Sequence, residues 1–399
     1  MKDSAALSGL RVLDLATFIA APFCAGLLAE FGAEVIKVED PKAGDSLRRL
    51  GEIYRGQPLW WLQESRNKLS ITCNLRDERG QDLIRRLAAS ADVLVENFRP
   101  GTLERWNLGY DVLSAANPGL IVVRISAYGQ SGPSAAKAGF GRVAQAFGGL
   151  TYLTGFPDRP PALPGSATLA DYAAGLFAAF ATLVAKQHRD RTGEGQEIDV
   201  SLFESIFRLL DTLAIAHDTL GIVRERRGFE APHAAPHSHY PTADGKWVAI
   251  ACTNDKIFGR LCVAMGQPEL ADDPRFLTVA SRVEHRDAID SVVIEFTRAR
   301  AAAELVEHLD AHEVPVSPIY SIADAVRDAQ YVARETLAEV DDDRVGTVRL
   351  PNVVPRLSRS PGEIRHLGRD LAADNDLVYG GWLGLTPDEL AGLRADGVI

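Results

Sequence analysis

The sequence predicts an α/β protein in which a Rossmann-like open parallel sheet forms a large domain and a smaller α/β domain follows. Three observations carry this. β-Branched runs alternate with helical runs through the first half of the chain, Ala/Leu-rich helical patterns take over from Thr168, and strand and helix signals resume after Gly228. Residues 10–15 read as a strand, 22–31 as a helix with Pro22 in its first turn, and 34–38 as a second strand, which makes a βαβ unit. Strands over 69–74, 92–97 and 120–126, with a helix over 80–89, extend it, and their apolar composition suits strands covered on both faces. Long helices follow over 168–188 and 200–220, joined by a turn at 191–195. In the second region, residues 246–252 read as a strand after the Asp244-Gly245 turn, 255–265, 285–297 and 301–312 as helices, and 314–321 as a strand. The C-terminal part is loop-rich and closes on a helix with Thr386 as cap, Pro387 next and Glu389 at the capping-box position.

Composition narrows the function. The 399 residues are 46% hydrophobic and 24% charged, which excludes a disordered or collagen-like chain. A formal net charge of −11, with no run of five Lys/Arg, argues against nucleic acid as a partner. Cys24, Cys73, Cys252 and Cys262 show no C-x-x-C pair, so free thiols in a reducing cytoplasm are expected and no metal site is. Residues 15–29 resemble a signal-peptide core, but Arg11, Asp14 and Pro22 fit a strand, turn and helix better. The uncharged run 173–185 is short for a membrane span and suits a core helix, so no membrane partner is expected.

The first βα turn, residues 16–22, contains no glycine where a dinucleotide fold carries G-x-G-x-x-G, which argues against a dehydrogenase. It still lies at the carboxyl end of a parallel strand, where such sheets bind ligands, and an ordinary βα connection fits the segment equally well. Asp171 is the only charged residue between 163 and 184. Its spacing from Thr168 is that of a capping box; the same position would also suit a carboxylate nucleophile that attacks an activated acyl carbon. Arg76 and Arg105 follow strands at the ligand edge and could meet phosphate, and Phe98 could stack on a base; each also reads as an ordinary surface or core residue. His233, His237 and His239 could form a metal or acid–base cluster, although Pro232 and Pro236 favour a loop there.

Taken together, residues 7–15 (LSGLRVLDL), 32–39 (GAEVIKVE), 44–48 (GDSLR), 67–71 (NKLSI), 92–101 (DVLVENFRPG), 128–133 (YGQSGP), 171–175 (DYAAG) and 192–196 (TGEGQ) resemble family III CoA-transferases, the CaiB/BaiF group that also holds α-methylacyl-CoA racemases. The resemblance spans nearly the whole chain. It implies that Asp171 is the nucleophile, passing through an aspartyl anhydride and an aspartyl-CoA thioester. It places CoA contacts on Phe18, Ile19 and Ala20, on Cys73, Asn74 and Arg76, and on Asn97, Phe98 and Arg105. CoA is then a substrate and no cofactor is needed. It further implies an interlocked homodimer, a large domain of residues 1–200 completed by 335–399, a small domain of 225–325, and linkers at 201–224 and 326–334.

Two departures bear on substrate. Asp40 stands where family members often carry a basic residue, and residues 231–239 replace the glycine-rich active-site loop of formyl-CoA transferase, which disfavours formyl or oxalyl substrates. No His lies between Val112 and His188, which removes the base that the racemase branch uses. The expected activity is reversible transfer of CoA from an acyl-CoA donor such as succinyl-CoA to a free carboxylic acid such as a small dicarboxylic or hydroxy acid. An acyl-CoA racemase and a non-catalytic acyl-CoA-binding protein are the rivals.

Overall fold

The computed structural model describes residues 5–399, and these form two compact units. One comprises the residues up to Thr151, Leu163–Gly221 and Ala333–Ile399; the other comprises Tyr152–Ala162 and Ile222–Val332. The first is built on six parallel strands: β1 Arg11–Asp14, β2 Glu34–Glu39, β3 Lys68–Thr72, β4 Val93–Glu96, β5 Ile121–Ser126 and β6 Glu197–Ser201. Their order is β3-β2-β1-β4-β5-β6, so the chain reverses direction across the sheet between β1 and β4, which is where open α/β sheets bind ligands.

Helices of this unit include α1 Ala20–Glu30, α2 Glu78–Ala88, α3 Thr102–Arg105, α4 Gly141–Phe147, α5 Leu169–Thr192, α6 Leu202–Phe207 and α7 Leu213–Leu220. Both faces of the sheet are buried, as the apolar strands require. Val12, Val35, Val93 and Val123 point into one layer with α1 and α5; Leu13, Ile36, Ile71 and Leu94 point into the other with α2. The first layer is thin because its helices meet through small side chains. A Cβ on Gly175 of α5 would lie 2.7 Å from the Ala20 carbonyl oxygen and 2.8 Å from the Phe23 ring. α5 is, by length and composition, apolar enough to span a bilayer, yet its alanine face is buried on α1.

The structure corrects the helix expected over 200–220. Its first residues finish β6 at the sheet edge; Ser201 then caps α6 by accepting the Glu204 N–H at 3.1 Å, and Asp211, in the left-handed region at φ 47°, separates α6 from α7. Residues 201–224, expected as a linker, thus include core positions Leu202 and Ile206.

The second unit holds a three-stranded antiparallel sheet of β7 His237–Pro241, β8 Trp247–Ala251 and β9 Val316–Pro318, with β8 central. α8 Asp255–Ala264, α9 Arg286–Arg298 and α10 Ala302–Ala311 pack on it through Phe258, Ile289, Val293 and Leu305. His237 and His239 lie on β7 rather than in the expected loop, because they pair in register with Ala251 and Ala249.

The C-terminal segment returns to the first unit. It forms a hairpin, β10 Leu337–Asp342 and β11 Gly346–Pro351, and ends in α11 Pro387–Ala395 with the Thr386/Glu389 capping box. Between them, side chains protect the edge of β3: Asp374 accepts the Ser70 N–H at 2.8 Å and Asn375 the Thr72 N–H at 2.9 Å, while the Tyr379 hydroxyl donates to the Thr72 carbonyl.

Candidate active site

The carboxyl ends of β1 and β4 sit side by side at the switch point. Asn97 ties the two together, accepting the Thr17 N–H at 2.8 Å and donating to the Thr17 carbonyl at 2.7 Å. Phe98, next along, gives its N–H to Glu96 at 2.7 Å, and Glu96 is in turn paired with Arg124 at 2.8 Å. Two cavities open here and share Thr17 and Phe98.

The first, about 160 Å³, is lined by Lys37, Glu39, Asp40, Asp45, Cys73 and Arg76 among others. It is a wall of charges that already have partners. Lys37 lies 3.2 Å from Asp45, Glu39 is bound by Arg48 at 2.7 Å, and exposed Arg76 faces Asp40 at 3.8 Å. Cys73 is buried and burial pushes its thiol up to about 12, so it is inert.

The second, about 210 Å³, is lined by Phe18, Ala20, Asn97, Phe98, Arg99, Ser126, Lys137, Phe140 and Asp171. Asp171 is the one carboxylate there. It lies in the first turn of α5, whose entry is fixed by neighbours: Tyr172 donates to Glu64 at 3.1 Å and stacks edge-on against Phe23 at 4.9 Å. Gln145, fully buried on α4, donates to the carbonyls of Ser166 and Ala167, both at 3.1 Å, and so fixes the approach to α5 from the other side. Thr168 does not form the expected capping box. Its backbone is not extended, as a side-chain cap needs, and its hydroxyl lies 2.9 Å from that of Ser166 instead.

The Asp171 carboxylate is pushed up to about 6 by burial, against which only its own backbone N–H works. Among the described residues no side chain pairs with it. Gly141, at the start of α4, makes room for it: a Cβ there would overlap Asp171 Oδ2 and crowd the Ala167 carbonyl at 3.0 Å. A half-buried, unpaired carboxylate facing an open cavity is a ready nucleophile, ionised at neutral pH and poorly solvated.

Of the other residues singled out in the sequence, Phe18, Ala20, Asn97 and Phe98 line the cavity with Asp171, and Cys73, Arg76 and Phe98 line the other. Ile19 is buried behind the turn, and Asn74 turns its carboxamide oxygen to the Arg76 N–H. Arg105 lines neither; it is exposed and donates to the Thr102 hydroxyl at 2.9 Å. His233, His237 and His239 all belong to the second unit, where the His239 ring rests on Phe229 at 5.4 Å. Lys37 and Asp45 fall within the quoted segments 32–39 and 44–48 but were given no role, and Gly141 and Gln145 were not singled out. The family-like segments were the only signal for the first two; Gly141 and Gln145 matter through contacts with residues 166–171, which spacing does not reveal.

A switch-point cavity holding one unpaired carboxylate is the setting for covalent acyl chemistry, and the family model for CoA-transferase family III matches residues 7–371. The chain belongs to that family and is a CoA-transferase. It is 47% identical over 396 residues to the succinyl-CoA–L-malate CoA-transferase beta subunit of Chloroflexus aurantiacus, with 98% of each chain covered. To the succinyl-CoA–D-citramalate CoA-transferase of the same organism it is 45% identical over 394 residues, again with 98% of each covered. Among solved structures it resembles a CaiB/BaiF family protein from Brucella suis, with a TM-score of 0.83 and 35% identity over 95% of this chain and 100% of that one. The activity is transfer of CoA between an acyl-CoA and an acid.

Proposed function

We propose that this transfer runs through Asp171, from succinyl-CoA to a small hydroxy-dicarboxylic acid of the malate or citramalate type. The observation that carries the reading is the unpaired Asp171 carboxylate in the cavity at the β1/β4 switch point. Asp171 attacks the donor thioester carbonyl, expelling CoA thiolate and forming an aspartyl–acyl anhydride. The thiolate attacks the aspartyl carbonyl, which releases the donor acid and leaves an aspartyl-CoA thioester. The acceptor carboxylate attacks that thioester, regenerating anhydride and thiolate; attack of the thiolate on the acceptor acyl carbon then frees Asp171. Every intermediate stays activated, so water must be kept out, and the apolar walls around Asp171 serve that end.

CoA would lie along both cavities, its phosphates toward Arg76 and its thiol end passing Phe98 and Thr17 to Asp171. Arg99 and Lys137 line the Asp171 cavity and would meet the second carboxylate of the acid. The substrate class is supported by the two Chloroflexus relatives, whose names specify succinyl-CoA with malate or citramalate. The test is chemical trapping. Succinyl-CoA mixed with enzyme and quenched with hydroxylamine gives a hydroxamate on the Asp171 peptide, read by mass spectrometry; trapping elsewhere overturns the assignment, and a panel of acceptor acids ranks the substrates.

Self-assembly as an interlocked homodimer is part of the same reading. α5 leaves Leu176, Phe180 and Val184 exposed, Phe180 by 67%, and α7 leaves Ile215 and Leu220, an apolar extent that a lone chain rarely shows to water. Sedimentation at nanomolar concentration tests it: a folded monomer excludes interlocking, and a requirement for a second, different chain points to unlike subunits. A cytoplasmic location fits four free, buried cysteines.

A further inference from the structure

The turn from β1 to α1 is gripped at three consecutive residues by side chains from elsewhere in the chain. Lys37 of β2 donates from Nζ to the carbonyl of Ala16. Asn97 holds both the N–H and the carbonyl of Thr17. Asp45 accepts the Phe18 N–H at 3.2 Å and the Leu47 N–H at 2.9 Å. Lys37 and Asp45 form an ion pair at 3.2 Å with side chains 1% exposed, and Asp45 is itself fixed by its N–H donating to Glu39 at 2.9 Å.

What this grip restrains is a strained residue. Phe18 has φ 62°, the left-handed region that glycine adopts freely and an aromatic residue does not, a conformation that persists only where the surroundings over-determine it. A glycine would fit that backbone without help. With Phe18, the chain instead places a ring in the Asp171 cavity, edge-on to Phe140 at 5.7 Å. Thr17, the middle residue, lines both cavities.

We propose that Asp45, with Lys37 and Asn97 beside it, is a positioning residue for CoA: it locks the 16–18 turn in the shape that shapes both cavities. The proposal rests on the reading that these cavities hold CoA. It also recasts Asn97, whose amide oxygen and nitrogen are each engaged by Thr17, as a residue that acts on CoA through the turn.

The test is a double-mutant cycle read as the dissociation constant of free CoA. Asp45→Ala weakens binding about tenfold, the scale of one lost hydrogen bond, while Asp45→Asn, which keeps an acceptor for Phe18, stays within about threefold. In a Phe18→Gly background the Asp45→Ala step shrinks to under about threefold, because glycine holds the left-handed turn unaided. Should Asp45→Ala not fold, Asn97→Ala at its part-exposed position runs the same cycle with the same expected shrinkage. A full tenfold step in the Phe18→Gly background overturns the clamp. Unchanged CoA affinity in Phe18→Gly itself overturns the reading of the cavities and the inference with it.

Discussion

Glu96 at the end of β4 and Asp171 at the start of α5 are both carboxylates that burial pushes upward, to about 7 and about 6. Their surroundings differ. Glu96 is 1% exposed, accepts the Phe98 N–H and is paired with Arg124, so its oxygens are already engaged. Asp171 has a similar shift and no side-chain partner, and it faces a cavity. A perturbed pKa therefore marks burial in both places, and only availability separates a structural acid from a reactive one. Glu96 shapes the turn that carries Asn97 and Phe98; Asp171 faces the cavity in which the proposed acyl transfer would run.

The comparison breaks most sharply on removal of the proposed nucleophile. Asp171→Asn should lower transfer by about a thousandfold or more, as loss of a covalent catalyst does, while leaving CoA binding intact. Hydroxylamine should label Asp171 and never Glu96. Retention of wild-type turnover in Asp171→Asn would put the chemistry elsewhere.

Next in size is Gly141→Ala. Its Cβ would occupy the space of Asp171 Oδ2, so the carboxylate must swing away. Misplacing a nucleophile by about an ångström can lower kcat about a hundredfold, and the CoA dissociation constant should not follow. Equal loss in both would mean that the substitution disturbs the fold around α4 rather than the carboxylate.

The pH profile follows. The proposed attack needs ionised Asp171, whose carboxyl burial pushes up to about 6. kcat/KM should thus climb about tenfold per unit of pH on the acid side and level off above about pH 6. Glu96→Gln should leave that limb where it is, since Glu96 does not titrate against substrate. A limb near pH 4 would show Asp171 to be well solvated and remove its distinction from a surface acid.

How much of this was legible beforehand depends on how local each signal is. Asp171 stood out because one charge in an apolar run is visible in the run itself, and the parallel strands stood out because burial on both faces leaves unbroken apolar runs such as Val93–Val95 and Ile121–Val123. β6 did not, since this edge strand reads Glu-Ile-Asp-Val-Ser and exposes its polar positions, and its last residues run into a helical pattern. The grip on the first turn was hidden for another reason. Asp45 reaches back 27 residues to Phe18 and Asn97 reaches 80 to Thr17, contacts that exist only once the sheet has brought the strand ends together. Arg105 read as either a phosphate contact or a surface residue from its place after a strand, and one turn of helix carries it outside both cavities.

The smallest effect expected is on stability, and its pH dependence has the same sign for the two acids. The folded-state pKa of Asp171 is raised from 3.8 to about 6, so the folded protein holds that proton more tightly than the unfolded chain does. Stability from the protonated form is fully present below about pH 4 and is lost as pH rises through about 6. Asparagine carries no charge at any pH and avoids this loss. Asp171→Asn should therefore be more stable than wild type at pH 7 to 8, by about 1–3 kcal/mol, and the gap should close as pH falls toward 4. Glu96→Gln should share that direction, because burial raises Glu96 from 4.5 to about 7 and wild type loses stability relative to the variant as pH rises through about 7, while the weakened pair with Arg124 subtracts from the gain. Denaturant unfolding of both variants at pH 4.5 and 7.5 reads this directly. If Asp171→Asn gains nothing at pH 7.5, the carboxylate is at ease in its cavity, and the strain that would make it a nucleophile is absent.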